Sequence, residues 1–374
     1  MQKLHNDHNV YILGAGFSAE RGFPIVKNFM FEMRDAYDWL KTADRLEEAK
    51  AIENVLDFRH DAAASAYRVK IDLENIEELF SLASASTGFA KSKELSKSIR
   101  VAIAATLDYC SNKTTEPKIG LHSPELLTFY NQYRNNDQQG IFEYRNIPAY
   151  QFYLRAMLGL QGATTGENTF ISFNYDTVVE QALSSMNIGF SYGFKAKTVN
   201  YKTHSLNLNN QNIKLLKLHG SVNWAHLEQA KRGSGKLAIY DSYDAVRAAK
   251  AIPELIPPTW RKVFDGNLEG VWNDAIEAIK SATRIIIIGF SVPETDNHFK
   301  YLLAAGLQSN ISLRDIVFVN QDGSEAFKSR IGGLFTNPQS SRVSYTTNPA
   351  SEYIKYLPRS NINRGLILNQ VFPS

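Results

Sequence analysis

Residues 285–288 are four consecutive isoleucines that run directly into Gly289-Phe290-Ser291. A run this short and this apolar, with no polar alternation, reads as a strand covered on both faces of its sheet. The abrupt stop is equally informative, because glycine and serine after a buried strand mark a turn at its carboxyl end. The same layout recurs along the chain. Residues 10–13 end in Gly14-Ala15-Gly16, with Phe17-Ser18-Ala19-Glu20 as a helix start. Residues 169–173 end in Asn174-Tyr175-Asp176 and lead into a helix over 177–184. Residues 213–218 end in His219-Gly220-Ser221, and residues 315–319 end in Asn320-Gln321-Asp322. Strands that each finish in small or polar residues predict an α/β fold, a doubly wound parallel sheet with helices on both faces. Such sheets bind ligands beyond the carboxyl ends of their strands.

Two segments interrupt this pattern. From about residue 41 to 160 the apolar spacing becomes helical, with Leu73, Ile76, Leu79 and Phe80 on one face and further helices over 91–110 and 121–133. This predicts a large helical insertion within a core formed by residues 1–40 and 161–374. Residues 222–266, with Gly233-Ser234-Gly235 and Pro253, Pro257 and Pro258, read as a small irregular module. Residues 361–374 read as a loose tail.

Composition narrows the function. The 374 residues are 44% hydrophobic and 21% charged, an ordinary globular balance, and a net charge of +3 implies no whole-protein attraction to nucleic acid or acidic membranes. The 39 tyrosines and phenylalanines are not interleaved with basic runs, so no aromatic nucleic-acid platform is indicated. A single cysteine, Cys110, excludes internal disulfides and a multi-cysteine zinc site and favours a reducing compartment, the cytoplasm. No secretion signal or membrane span is legible.

Taken in order, the blocks are G-A-G-F-S-A (14–19), S-F-N-Y-D (172–176), K-L-H-G-S (217–221), I-G-F-S (288–291) and V-N-Q-D (319–322). This succession resembles the sirtuin (silent information regulator) superfamily, whose members carry G-A-G-x-S, Q-N-x-D, L-H-G, G-x-S and V-N. The resemblance implies a Rossmann-like core that takes NAD as its substrate and cleaves the bond between nicotinamide and ribose. By matching positions it implies that Gly14, Ala15, Gly16, Phe17, Ser18, Gly289, Ser291 and Asn320 line the dinucleotide. Asn174, His219 and Asp176 would be catalytic. The residue types suit those roles. Backbone N–H groups at a glycine turn before a helix suit a pyrophosphate. A histidine takes a hydroxyl proton near neutrality, and an amide orients a water without carrying charge. A carboxylate stabilises the positive charge that develops on ribose.

Departures from the deacylase pattern point to one branch. The four-cysteine zinc module that follows L-H-G in deacylases has no counterpart in residues 222–266, so no zinc is expected. Gly22-Phe23-Pro24-Ile25-Val26-Lys27 lacks the acid and arginine of the deacylase G-I-P-D-F-R segment, and Phe173 replaces the glutamine before Asn174. The combination is similar to bacterial defence-associated sirtuin-like proteins, which implies hydrolysis of NAD to nicotinamide and ADP-ribose as an antiviral response. It further implies a homo-oligomer and a separately encoded activator, a HerA-type ATPase or an Argonaute-like protein, with no direct contact to nucleic acid or membrane. The alternatives are a noncatalytic NAD-sensing or assembly subunit, and an ADP-ribosyltransferase or deacylase.

Other features carry simpler readings. Residues 232–236 fail the spacing of a phosphate loop. His5 and His8 read as solvated, and Glu74, Glu77 and Glu78 as a solvated helix face. Glu294 and Asp296 read as helix-start carboxylates, with Asp296 an outside candidate for the site.

Overall fold

The computed structural model describes residues 8–86, 89–119, 147–158, 167–194, 197–199, 213–226, 237–258, 266–293, 297–335, 342–357 and 369–370. Its strands, in chain order, are β1 (His8–Leu13), β2 (Lys118–Ile119), β3 (Ile147–Pro148), β4 (Glu167–Ser172), β5 (Lys197–Val199), β6 (Ile213–Lys217) and β7 (Gly220–His226). They continue with β8 (Leu237–Tyr240), β9 (Pro253–Leu255), β10 (Arg284–Ile288), β11 (Asp315–Val319), β12 (Val343–Thr346) and β13 (Asn369–Gln370).

Seven of these form the main sheet, in the order β13-β12-β11-β10-β1-β4-β6. All neighbours are parallel except β13, which pairs antiparallel to β12. Starting at β1, the chain moves outward through β4 to β6, then returns to β10 beside β1 and moves outward again through β11 to β12. Counted by first appearance, the six parallel strands lie 3-2-1-4-5-6, the doubly wound order that was expected, and the direction of winding reverses between β1 and β10.

Alternation of side chains along each strand divides the core between the two faces. Tyr11, Leu13, Phe170, Leu215, Ile286, Ile288, Val317 and Val319 pack on one side with the helices Ala149–Leu158, Val178–Ser185 and Ala350–Tyr356. Val10, Ile12, Ile171, Leu216, Ile285, Ile287, Ile316 and Phe318 pack on the other with Gly266–Ser281, Asn297–Leu307 and Glu325–Gly332. The isoleucines of β10 are all but fully buried, which explains why that run shows no polar alternation.

A second core lies apart from the sheet. It gathers Met30, Met33, Leu40, Ile52, Val55, Leu79, Phe80 and Ile103 from the helices Phe29–Thr42, Leu46–Asp61, Ile76–Ser86 and Phe89–Lys113. Into the same core come Val222, Ala225, Ala238, Tyr240, Val246 and Leu255 from β7, β8, β9 and the helix Tyr243–Ala248. Within the stretch read as irregular, the described residues include β8, β9 and most of β7, which form a four-stranded sheet with β5. Its strands are short and broken by glycine, serine and proline, so their periodicity is too brief to read. The expected boundary at residue 41 falls within the helix Phe29–Thr42, and Ala149–Leu158 packs under the main sheet.

A buried ionic cluster joins the two segments of this second core. Arg45 donates to Asp108 at 2.5 Å and to Glu48 at 2.8 Å, and the Tyr243 hydroxyl donates to Glu48 at 2.9 Å. Burial holds the Asp108 carboxyl above its usual range in spite of the Arg45 guanidinium beside it.

Other expectations are corrected. His8 is not solvated: it is 6% exposed, with Nδ1 at 2.9 Å from Ser281 Oγ and Nε2 at 2.9 Å from Thr169 Oγ1. Glu74 precedes the helix Ile76–Ser86 and, while its side chain stays half exposed as expected, it is ion-paired with Arg34 at 2.8 Å and with Arg59. Asn369 and Gln370, assigned to a loose tail, form β13. The helix expected at 121–133, the loop 232–236, His5, Glu294 and Asp296 lie outside the described residues. No helix among the described residues is long and apolar enough to cross a membrane.

Candidate active site

The register of the main sheet places the end of every motif-bearing strand in one row. Lys217 pairs with Ser172, Ser172 with Leu13, Leu13 with Ile288, and Ile288 with Val319. Gly14, Asn174, His219, Gly289 and Asn320 each lie one or two residues beyond that row, so the five blocks share one end of the parallel strands. Gly14-Ala15-Gly16 and Gly289-Phe290-Ser291 lie at its centre, where the winding reverses.

These two turns are packed on each other through backbone. Gly16 N–H donates to the Gly289 carbonyl at 2.9 Å, and Gly14 N–H donates to the Ile288 carbonyl at 2.9 Å. Gly289 has φ +66, and a Cβ there would lie 2.2 Å from the Phe17 amide nitrogen. The close approach and the left-handed backbone each demand glycine. Phe17 N–H turns back to the Gly14 carbonyl at 2.9 Å. Three of the amides that the glycine turn was expected to offer an anion are thus used within the fold.

Asn174 ties the second block to the first. Its Nδ2 donates to the Gly14 carbonyl at 2.9 Å and to Ser18 Oγ at 3.1 Å, while its own backbone N–H is held by Ser172 Oγ at 3.1 Å. A carbonyl can only accept, so the contact to Gly14 fixes which end of the amide faces the turn. The acceptor Oδ1 is left without a hydrogen bond to any described residue. Ser18, the partner of Asn174, is 1% exposed.

Asp176 is 8% exposed and accepts the Val178 N–H at 3.0 Å, two residues ahead, at the start of the helix Val178–Ser185. Its backbone carbonyl accepts a hydrogen bond from Lys217 Nζ. Lys217 also donates to Glu180 at 2.9 Å, and Tyr192 OH donates to the same carboxylate oxygen at 3.1 Å. Both partners are enclosed, with side chains 1% and 5% exposed. Burial raises the Glu180 carboxyl above its usual range, against the pull of Lys217. The sequence reading missed this pair, although a lysine in an otherwise apolar strand before Leu218-His219 is a visible signal.

His219 is 6% exposed, its ring edge-on to Phe173 at 5.1 Å and tilted over Tyr175 at 6.1 Å. Phe173 itself packs on Phe290 at 4.7 Å, so an apolar cluster joins the histidine to the β10 turn. Phe173 thus has a packing role at this end of the sheet. The His219 carbonyl accepts the Ile256 N–H at 2.9 Å, and Tyr175 OH donates to the Ile256 carbonyl at 2.6 Å. Gly220 has φ +79, and a Cβ there would meet the Glu254 carbonyl at 2.1 Å. The small sheet is stitched directly to the histidine.

The remaining candidates sit at the same end of the strands. Asn320 Nδ2 donates to the Phe290 carbonyl at 3.0 Å, and its Oδ1 accepts the Asp322 N–H at 3.0 Å, so this side chain braces the β10 and β11 turns. Ser291 is exposed. Tyr150 OH donates to the Phe17 carbonyl at 2.7 Å, and burial together with the charges of Asp176 and Glu20 pushes its ionisation above the usual range. Among the described residues no group of three or more His, Cys, Asp and Glu side chains is arranged to hold a metal ion.

No curated protein matches this chain in sequence. Among solved structures it is similar to a Sir2 homologue in complex with NAD, at 13% identity over 94% of this chain and 88% of that one, with a TM-score of 0.44. It is also similar to a mutant Sir2 homologue in complex with 2'-O-acetyl ADP-ribose, at 13% identity over 94% and 90%, with a TM-score of 0.43. Residues 168–331 match the family model of the SIR2-like domain, a span that begins after the first glycine turn and contains Asn174, Asp176, His219, Gly289, Ser291 and Asn320. On that match, residues 168–331 are similar to a SIR2-like domain.

Proposed function

We propose that this chain hydrolyses NAD to nicotinamide and ADP-ribose. The observation that carries the reading is the anchored amide of Asn174, its NH2 spent on Gly14 and Ser18 and its Oδ1 left to accept, at the same ends of the parallel strands as Asp176 and His219. In this reaction the bond between C1' of ribose and the nicotinamide nitrogen breaks, and its electron pair leaves with nicotinamide. Positive charge builds on the ribose, where the Asp176 carboxylate lowers its energy. Water adds at C1', with Asn174 Oδ1 accepting one of its hydrogens and the His219 imidazole taking up the proton released. The amides of Gly14, Gly16 and Phe17 are spent, so pyrophosphate contacts in this reading fall to other groups, among them the exposed Ser291 hydroxyl.

The proposal extends to biology. An enzyme that depletes NAD must stay silent until needed, which fits a cytoplasmic antiviral effector, assembled as a homo-oligomer and switched on by a separate HerA-type ATPase or Argonaute-like protein. The test is product analysis of NAD incubated at high protein concentration with wild type, Asn174→Ala and His219→Ala, with NAD binding measured in the same samples. Nicotinamide and free ADP-ribose from wild type alone supports hydrolysis at this site. ADP-ribose attached to protein redirects the reading to a transferase. Binding without turnover in any sample favours a sensing subunit or a silent enzyme, which added partner protein separates.

A further inference from the structure

Lys217 is the last residue of β6, in the row from which all five polar blocks emerge, yet it is enclosed rather than presented to the cleft. Its ammonium group is bound to the end of the S-F-N-Y-D block, at the backbone carbonyl of Asp176, and to the carboxylate of Glu180 in the helix that follows. The Asp176 side chain, in turn, caps the Val178 N–H. The loop between Asn174 and Val178 is therefore held by Asn174 on the first glycine turn, by Tyr175 on Ile256 and Val222, by Asp176 on the start of its own helix, and by Lys217 on the neighbouring strand.

The Lys217 anchor is the costly one. A carbonyl in that place needs only one donor, and a neutral amide or hydroxyl would supply it. A lysine brings a full charge out of water and requires a counter-charge, which Glu180 provides with help from Tyr192 OH. Buried pairs of this kind are often matched or bettered in stability by apolar residues of similar size, so stability alone is a poor account of it. What the pair does supply is strength at one point: a charge-assisted bond to a carbonyl is shorter and roughly twice as strong as a neutral one. It holds the Asp176 backbone, and so the Cα from which the carboxylate extends, relative to the strand that leads into His219, while the Val178 N–H holds the carboxylate itself.

We propose that Lys217 is a positioning residue, the strut that sets the Asp176 carboxylate against His219 for reaction at the ribose. This inference deepens the NAD hydrolase reading and rests on it, whereas the strut itself can be tested without turnover. Lys217→Met alone would leave the Glu180 carboxylate buried without its counter-charge. The informative protein is thus the double variant Lys217→Met with Glu180→Gln, in which the glutamine oxygen still accepts from Tyr192.

Two measurements on full-length protein decide the matter. In hydrogen exchange without ligand, the amides of residues 174–178 are expected to exchange at least tenfold faster in the double variant, with protection in β4 and β6 unchanged. In steady-state turnover of NAD, kcat is expected to fall ten- to hundredfold with KM within threefold of wild type. A folded double variant with wild-type exchange in 174–178 overturns the strut, and faster exchange with unchanged kcat overturns its role in the reaction. If wild type releases no nicotinamide under any condition while exchange still rises in the variant, the hydrolase reading fails and the strut stands.

Discussion

The side-chain NH2 of Asn174 donates to the backbone carbonyl of Gly14 at 2.9 Å, joining two turns that lie 160 residues apart in sequence. This bond decides the orientation of the amide and with it what the residue can do chemically. Asn174→Asp preserves size but turns a carboxylate oxygen toward a carbonyl that can only accept. The expected outcome is a loss of about 1–3 kcal/mol of stability from two buried polar contacts, with NAD turnover falling at least about a hundredfold, the scale of losing a positioned general-base or oxyanion contact. Urea denaturation beside a nicotinamide-release assay checks both, and an Asp variant as stable and active as wild type would sink the assigned orientation.

Gly289→Ala is expected to be among the most damaging substitutions in the chain. The new methyl group would lie 2.2 Å from the Phe17 nitrogen, in a backbone conformation of φ +66 that disfavours any side chain. Neither neighbour is a flexible side chain, so the two glycine turns must separate. A cost above about 3 kcal/mol follows from combined strain and lost packing. Thermal unfolding should show it, and NAD binding by calorimetry should be abolished even where the protein stays folded.

Acid stability carries a contribution from His8. Burial lowers its ionisation below the ordinary value of 6.5, Lys214 lowers it further, and Glu167 acts in the opposite direction. The unfolded chain therefore binds the proton first. The favourable contribution is complete above about pH 6.5 and is lost as pH falls through the lowered value, with a slope of up to about 1.4 kcal/mol per pH unit. Urea midpoints measured between pH 5 and 8 should decline on the acid side in wild type, and less steeply in His8→Gln. Identical slopes would assign the effect elsewhere.

Arg45→Met should unfasten the second core. It leaves Glu48 and Asp108 buried beside each other without the guanidinium that binds both, at a cost of about 3–5 kcal/mol. Tyr243→Phe removes one hydrogen bond to Glu48 and should cost about 1–2 kcal/mol. Because Tyr243 lies in the segment between β8 and β9, proteolysis of the small sheet should become faster in both variants. Equal cleavage rates in wild type and Arg45→Met would argue that the cluster contributes little to docking.

The parallel sheet was legible because its strands are buried on both faces: Ile285 to Ile288 leave no other local reading, and β10 and β11 have the bounds that their apolar runs suggest. The row of polar residues at one end of the strands was legible for the same reason, since each block follows directly on such a run. What escaped was set by contacts far apart in sequence. Val343 to Thr346 is too short and too mixed to announce β12, and it becomes a strand by pairing with β11. Leu237 to Tyr240 and Pro253 to Leu255 gain their order from β7 and from the helices beneath them. His8 lies in a polar stretch, and only its partners Thr169 and Ser281 show that it is interior. At the site, the ends of the apolar runs indicated which blocks share one end of the sheet; they could not show that the Gly16 and Phe17 amides are consumed inside the fold, or that Lys217 is enclosed.

The placement of β1 at the middle of the sheet has a consequence for synthesis. His8 is bonded to the hydroxyl of Thr283, 275 residues later, and the strand on that side of β1 cannot be laid down until then. At roughly 5–20 residues per second of translation, the first glycine turn waits on the order of 15–55 s for the turn that packs against it. The helices around Met33, Ile52 and Ile103 rest largely on nearby segments and can collapse while the ribosome is still working. A nascent chain therefore carries its helical portion folded and its central cleft unmade, and the cleft closes only when the carboxyl-terminal half has emerged.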